Sequence, residues 1–414
     1  LSLLICDCTS APTTNGSPAG ESRAPDYARE RQLSDWRTAW NFVNDNFYDP
    51  ALNGVEWERI RDEVAAKIEA GLDWEAFHEL LRETLTVFRD GHTLYLPPDP
   101  DQDFQADTAG KSFGGLGFFV TKGKGEYISI VLPFKDGPAA DAGLEPHDRI
   151  LSIDQGPALD LRGYPAIGKL RGPAGSTVRL RIASPKGERD IDLVREQVTP
   201  SGSFAQGRII GEEPGGGRRV GYIVLAGLIA GSARDLRAEF ARLSAATPLD
   251  GLILDLRTND GGLPEEVSST LGLFIEGVFG ADLDRKGDLK ILATTEQALL
   301  NSRSLPLALL ISETTNSAAE IVAAGLKGRG RAILVGEKTA GGLGEGRFMH
   351  LASGGTITVS RRVFMMADGS APAWLHQGIE PDFFVAGSSW DESFDGDDPA
   401  IKAALERMTA ASRN

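Results

Sequence analysis

Cysteine is almost missing from this chain of 414 residues: there are two, Cys6 and Cys8, both near its start. From residue 9 onward neither a disulfide nor a thiolate metal site can form. No metal site and no cofactor are expected. Apolar runs long enough to cross a bilayer are also missing, and the opening stretch Leu1 to Cys8 is too short to do so. Positive charge is in deficit. Lys and Arg number 43 against 59 Asp and Glu, and the net charge of −16 argues against a nucleic-acid partner. The apolar and charged fractions, 41% and 25%, are those of a globular protein. At about 150 residues per domain the length allows two or three domains.

Leu1 to Cys8 reads as the tail of a signal peptide's apolar segment, and Thr9 to Ser22 as a linker rich in Ser, Thr, Pro and Gly. This order resembles that of a bacterial lipoprotein, whose first mature residue is a lipid-bearing cysteine. Ile5 before Cys6 and Asp7 before Cys8 depart from the small residue that lipoprotein cleavage prefers. The expectation is an exported protein, periplasmic or attached to a membrane only through an N-terminal lipid on Cys6 or Cys8. Export with a cut signal and no lipid is the other reading.

Between Leu33 and Phe88 the apolar residues fall on three helical stripes: Trp36, Trp40, Val43 and Phe47; Trp57, Ile60, Val64 and Ile68; Phe77, Leu80, Leu81 and Leu85. A small helical domain is predicted, ending at Arg89-Asp90-Gly91-His92-Thr93-Leu94. Short strands and turns follow to about residue 198. There Gly115-Leu116-Gly117-Phe118 forms a Gly-rich turn whose free N–H groups suit a terminal carboxylate, beside a strand edge that a peptide can extend. The bland reading is a tight turn in a lid or spacer that binds nothing. Beyond residue 201, strand and helix alternate, which indicates α/β layers. Thr356 to Val359 and Val363 to Met365 read as two late strands, and Asp397 to Met408 as a closing helix.

Residues Gly251 to Gly344 hold the types and spacing that spell a chemistry. Leu252-Ile253-Leu254-Asp255-Leu256 reads as a buried strand that breaks at Arg257-Thr258-Asn259-Asp260-Gly261-Gly262, and Pro306 to Ile311 as a second that leads to Ser317 at the mouth of a helix. Glycine amides at the first break, with the free N–H groups of the helix start at Ala318, can flank the Ser317 hydroxyl as an oxyanion hole flanks a nucleophile. Ser317-Ala318-Ala319-Glu320 equally fits a capping box, in which the serine only satisfies an N–H.

Leu252 to Gly262 resembles a signature of the C-terminal-processing (tail-specific) and tricorn-related serine peptidases, and Asn316-Ser317-Ala318-Ala319-Glu320-Ile321 resembles their nucleophile motif. Val335 to Gly342 and Gly378-Ile379-Glu380-Pro381-Asp382 match two further stretches in the family's order, and the likeness runs from about Gln32 to Val385. It implies an α/β fold with a crotonase/ClpP-like core, an N-terminal helical domain and an inserted PDZ-like β domain. The divisions are then 1–25 signal remnant and linker, 26–104 helical domain, 105–200 PDZ domain with Gly115, Leu116, Gly117 and Phe118 as its peptide-binding loop, 201–390 peptidase core and 391–414 C-terminal helix.

The resemblance further implies a serine endopeptidase whose partners are polypeptides with free C-termini, presented by the PDZ domain. Ser317 would be the nucleophile, with Gly261, Gly262 and Ala318 forming the oxyanion hole. The departure lies in the base. The positions of the processing peptidases' lysine and glutamine are Gly342 and Gly346 here, and Lys338 aligns with a lysine of the motif that is not the base. A histidine after an Asp-Gly pair serves as base in the tricorn-related branch, so His92 takes that role, with His376 and Lys338 as alternative bases or orienting groups. The tricorn-type glutamate position is Leu375. The alternative function is a non-catalytic peptide- or ligand-binding protein on the same fold, with Ser317 capping its helix. A crotonase-type acyl-CoA enzyme is the weaker third.

Overall fold

A computed structural model of the chain describes residues 24–98, 111–159, 166–200, 202, 204–211, 218–295, 304–342, 344–393 and 397–411. The apolar start, both cysteines and the linker lie outside the described residues.

In chain order the first elements are helices α1 (Ala24–Asn46), α2 (Trp57–Glu69) and α3 (Trp74–Leu85), then strand β1 (Leu94–Leu96). The three stripes meet in one core of Trp36, Val43, Phe47, Trp57, Ile68, Phe77 and Leu81, which also takes in Leu351, Ile357 and Val359 from far downstream. The helices therefore do not close a core of their own: their apolar faces need a sheet of the next layer.

The segment 113–198 holds β2 (Phe113–Gly115), β3 (Phe118–Lys122), β4 (Ile128–Pro133), a short helix α4 (Pro138–Asp141), β5 (Arg149–Ile153), β6 (Gly156–Pro157), a short helix α5 (Ile167–Leu170), β7 (Thr177–Ser184), β8 (Gly187–Val194) and β9 (Glu196–Val198). One antiparallel sheet runs β3-β4-β5-β7-β8, so β3 is an edge strand. Its inner face packs Leu116, Ile130, Ile150, Val178, Leu180 and Ile182 together. Val131 and Leu132 of β4 face outward into a different cluster with Tyr222, Val224, Ile253 and Trp390, which seats the unit on the main body.

That main body contains β10 (Ala205–Ile210), β11 (Val220–Leu225), α6 (Ser232–Ser244), β12 (Gly251–Asp255), α7 (Pro264–Gly272), β13 (Val278–Asp284), β14 (Leu289–Ala293), β15 (Leu307–Ile311), α8 (Ala318–Gly328), β16 (Ile333–Gly336), β17 (Glu345–His350), β18 (Thr356–Met366), β19 (Phe383–Phe384) and α9 (Pro399–Ala411). The α/β reading of the core holds. A six-stranded sheet has the order β10-β11-β12-β15-β16-β19 and is parallel except for β10. Its central strands are buried on both faces, as parallel strands between helical layers must be. Leu252, Leu254, Leu307, Leu309 and Ile311 point to the side of α6, α7 and α8, whereas Ile253, Ala308 and Leu310 point to α9.

The late segment expected as two strands is one, β18. It pairs with β17 along one side, and with β1 and β13 along the other, in a second antiparallel sheet. Pairing with β17 at Ser360 and Arg362, and with β13 from Arg362 onward, carries the strand through the gap left between the two expected strands.

Beneath the strand ends Arg257 is fully buried, with Nη2 at 2.6 Å from Asp255 and 2.7 Å from Asp398 and Nη1 at 2.8 Å from the Ser388 carbonyl. Tyr222 donates to the same Asp255 at 2.7 Å. Each charge is paired, which is the condition for burying it at all. Removing one member strands the others, so Arg257→Met is expected to lower stability by about 3–5 kcal/mol and Asp398→Asn by less, read as the shift of the urea unfolding midpoint.

Candidate active site

The parallel strands β12, β15 and β16 end at one edge, and their outgoing loops are tied to one another. Thr315 donates through Oγ1 to the Leu256 carbonyl at 2.8 Å, Asn316 N–H to the Asn259 carbonyl at 3.1 Å, and Ala340 N–H to the Thr315 carbonyl at 3.0 Å. Ser317 opens α8 from this knot with φ 54 and ψ −123, a conformation that costs a non-glycine residue about 1–3 kcal/mol and turns its side chain toward the cleft. Glu320 holds it there: its Oε2 accepts the Ser317 N–H at 3.0 Å, while Oε1 accepts Gly341 N–H at 2.8 Å and the Thr339 hydroxyl. Burial raises the Glu320 pKa despite these donors.

His92 reaches the same point from 225 residues upstream, its Nε2 lying 3.0 Å from Ser317 Oγ. Strand pairing delivers it. Leu94 of β1 stands opposite Thr358 of β18, the Thr358 hydroxyl donates to the His92 carbonyl, and Ser360 N–H donates to Thr93 Oγ1 at 3.1 Å. Asp90 closes the turn by accepting the N–H groups of His92 and Thr93 at 3.1 and 2.8 Å. The imidazole is buried, and burial depresses its pKa to about 4. Its Nδ1 has no hydrogen-bond partner among the described residues, and Leu375, at the position of the tricorn-type glutamate, packs against the apolar core.

The capping box is formed as well, so cap and imidazole contact coexist at Ser317. The three amides expected beside it differ. Gly261 N–H is engaged by Asn259 Oδ1 at 3.0 Å, which removes it as an open donor, because Asn259 is itself fixed by donating to the Leu225 carbonyl. The N–H groups of Gly262 and Ala318 have no acceptor among the described residues. Gly261 instead supplies closeness: a Cβ there would stand 2.8 Å from Ser317 Cβ and 3.0 Å from Ala318 N.

Two proposed alternatives do not meet the hydroxyl. Lys338 is held in a half-exposed ion pair, its Nζ 3.0 Å from Glu380 rather than beside the hydroxyl. His376 bonds through Nε2 to Tyr48 Oη at 3.0 Å rather than to Ser317 or His92. Gly342 explains the missing lysine, since a side chain there would meet Asn316 Oδ1 at 2.2 Å and His92 Cε1 at 3.2 Å. Imidazole and carboxamide already fill that space. Glu320, Thr339, Asn259 and Thr358 carry the support and were not singled out as site residues from sequence; only the capping-box spacing pointed to Glu320. Among the described residues no group of His, Cys, Asp and Glu is placed to hold a metal ion.

Elsewhere, Leu116 is buried and the N–H groups of Leu116 and Gly117 lack an acceptor among the described residues, while Gly115 ends β2 and Phe118 begins β3. A trough lined by Val120, Thr121 and Lys122 of β3 and by Thr258, Asp260 and Asn316 of the strand-end loops connects that edge to the neighbourhood of Ser317.

Residues 219–385 match the model of peptidase family S41, and residues 29–86 that of the tricorn protease C1 domain. A carboxyl-terminal-processing protease of Synechocystis sp. is 30% identical over 381 residues, 90% of this chain and 85% of that protein. The carboxy-terminal processing protease CtpB of Bacillus subtilis (strain 168) is 28% identical over 357 residues, 83% of this chain and 71% of its own length. Of solved structures, a photosystem II D1 C-terminal processing protease superposes with a TM-score of 0.55 at 24% identity, over 89% of this chain and 98% of that one. The tricorn protease gives 0.55 at 20% identity, over 93% of this chain and 37% of its own. Both structural likenesses speak for the fold.

His92 is expected to stay neutral down to about pH 4, as is His147, which burial likewise depresses to about 4 where it stacks on Trp390. The unfolded chain takes up these protons near pH 6.5, so stability is retained above that value and lost as pH falls toward 4, by about 1.4 kcal/mol per pKa unit and histidine. Imidazole NMR titration together with urea unfolding at pH 7 and pH 5 checks both statements.

Proposed function

The chain belongs to peptidase family S41, the family of the carboxyl-terminal-processing proteases, and from that premise we propose that Ser317 is its nucleophile and His92 its general base. It is a serine-type peptidase acting on polypeptides. The observation that carries the assignment of roles is the 3.0 Å contact between His92 Nε2 and Ser317 Oγ, made beside two open amides.

In this reading Ser317 Oγ attacks the scissile carbonyl while His92 Nε2 takes its proton, and the oxyanion that forms is held by the N–H groups of Gly262 and Ala318. His92 then returns the proton to the departing amine as the C–N bond breaks. A water, deprotonated by the same imidazole, releases the acyl group as a carboxylic acid and restores the serine. An imidazole held neutral by burial is in the right state to accept a proton at pH 7, and the nearby charge of Asp90 favours the imidazolium once it forms.

The β-rich unit 105–200 is then a PDZ domain that presents substrate C-termini. Its open amides at Leu116 and Gly117 suit a terminal carboxylate, and the β3 edge can take a peptide as a further strand along the trough toward Ser317. The opening stretch supports export, with an N-terminal lipid on Cys6 or Cys8 as the membrane attachment.

A fluorophosphonate probe is expected to label the wild type and not Ser317→Ala, and His92→Ala to slow labelling and peptide cleavage by about 10²–10⁴. Absence of Ser317-dependent labelling at every pH points instead to a binding protein in which the serine only caps α8. A peptide with an amidated C-terminus is expected to bind less tightly than the free acid, measured by fluorescence anisotropy.

A further inference from the structure

A pocket opens directly beside Ser317, and its lining includes Gly262 and Ala318 as well. Whatever side chain precedes the bond being cut must enter here, because the attacked carbonyl is pinned between the Ser317 hydroxyl and those two amides. This step rests on the proposed roles of the three residues.

The walls are apolar, built by Val267, Phe279, Ile321 and Phe364. Two acidic residues interrupt them: Asp282 on β13 and Glu345 at the start of β17. They are not equivalent. Glu345 is ion-paired, with Oε1 at 3.2 Å from Arg361 and Oε2 at 3.8 Å from Arg362. Asp282 is only 7% exposed, yet its side chain makes no hydrogen bond or ion pair with any described residue. Lys290, its cross-strand neighbour on β14, and Arg362 act on it only through space, and Arg362 is turned to Asp284 at 3.4 Å and to Glu345.

A buried carboxylate without a partner is costly, and such groups normally find one. We propose that the partner is supplied by the substrate: the cavity is the specificity pocket for the residue on the acyl side of the scissile bond, and Asp282 selects a lysine or arginine there. The apolar walls take the methylene stem, as they do for any long basic side chain, and the cationic head meets the carboxylate. An acidic side chain is rejected by both Asp282 and Glu345. A small one leaves Asp282 unpaired.

The test uses the full chain and a set of quenched fluorescent peptides with free C-termini, identical except for lysine, norleucine, alanine or glutamate before the scissile bond. The wild type is expected to cleave the lysine peptide with a kcat/KM at least about 30-fold above the norleucine peptide, the range for losing one partner of a buried charge pair. Asp282→Asn is expected to narrow that ratio to within about threefold, mainly by a loss on lysine, and Asp282→Glu to restore part of it. A wild type that prefers norleucine or alanine overturns the proposal even if Asp282→Asn does not fold, as does a lysine preference that survives Asp282→Asn. In those cases cleavage that disappears in Ser317→Ala leaves the peptidase mechanism standing. No Ser317-dependent cleavage of any peptide overturns both.

Discussion

The Glu320 carboxylate sits at the centre of a small set of hydrogen bonds on which the rest of the site depends. One oxygen takes the N–H of Ser317 and the other takes Gly341 and Thr339, so a single group fixes the strained serine, the first turn of α8 and the loop leaving β16. Burial raises its pKa, and the donors around it pull the other way, keeping a charge-assisted network in a dry place. Because the serine backbone is held off its preferred conformation, its hydroxyl is presented to the cleft rather than folded back over the helix end.

The proposed base is a matter of strand pairing over long sequence separation. His92 belongs to the segment that follows the N-terminal helices, and those helices bury their apolar faces partly on Leu351, Ile357 and Val359. The same docking that completes this core adds β1 to β18 and sets the imidazole against Ser317. Packing of the helical segment and placement of the imidazole beside Ser317 thus rest on the same strand. Gly342 is the complement of this arrangement: the absence of a side chain there leaves room for His92 and Asn316, so a histidine-based site excludes a lysine at that position on steric grounds.

A second contact of the same kind holds the β-rich unit. His147 stacks on Trp390 with ring centroids 3.8 Å apart, and Tyr127 and Ser129 both donate to Asp391. Trp390 in turn lies over Arg257, whose carbonyl accepts the Ser312 hydroxyl in the loop that leads to Ser317. The seat of the β-rich unit and the floor of the strand-end loops are therefore built from one packed set of residues.

The α/β layering, the three N-terminal helices, and Ser317 at a helix mouth beside a glycine pair were all legible in the chain, because periodicity and turn residues act over a few positions. The family likeness followed from short ordered motifs of the same local kind. What needs two distant segments to meet was largely hidden, and the pairing of His92 with Ser317 was expected only through the family likeness. Gly261 and Gly262 look alike in sequence, and only the placement of Asn259 decides which amide is left open. Lys338 and His376 looked like candidate bases until their side chains were seen paired with Glu380 and Tyr48. Asp282 carried no local signal at all, since a carboxylate on a strand is remarkable only once its neighbours are known to be apolar and its partner missing. Sequence alone determined which residues could do chemistry, through their types and local backbone preferences. Tertiary structure decided which of them do meet, because separations of about three ångströms between groups hundreds of residues apart are set by packing and strand register.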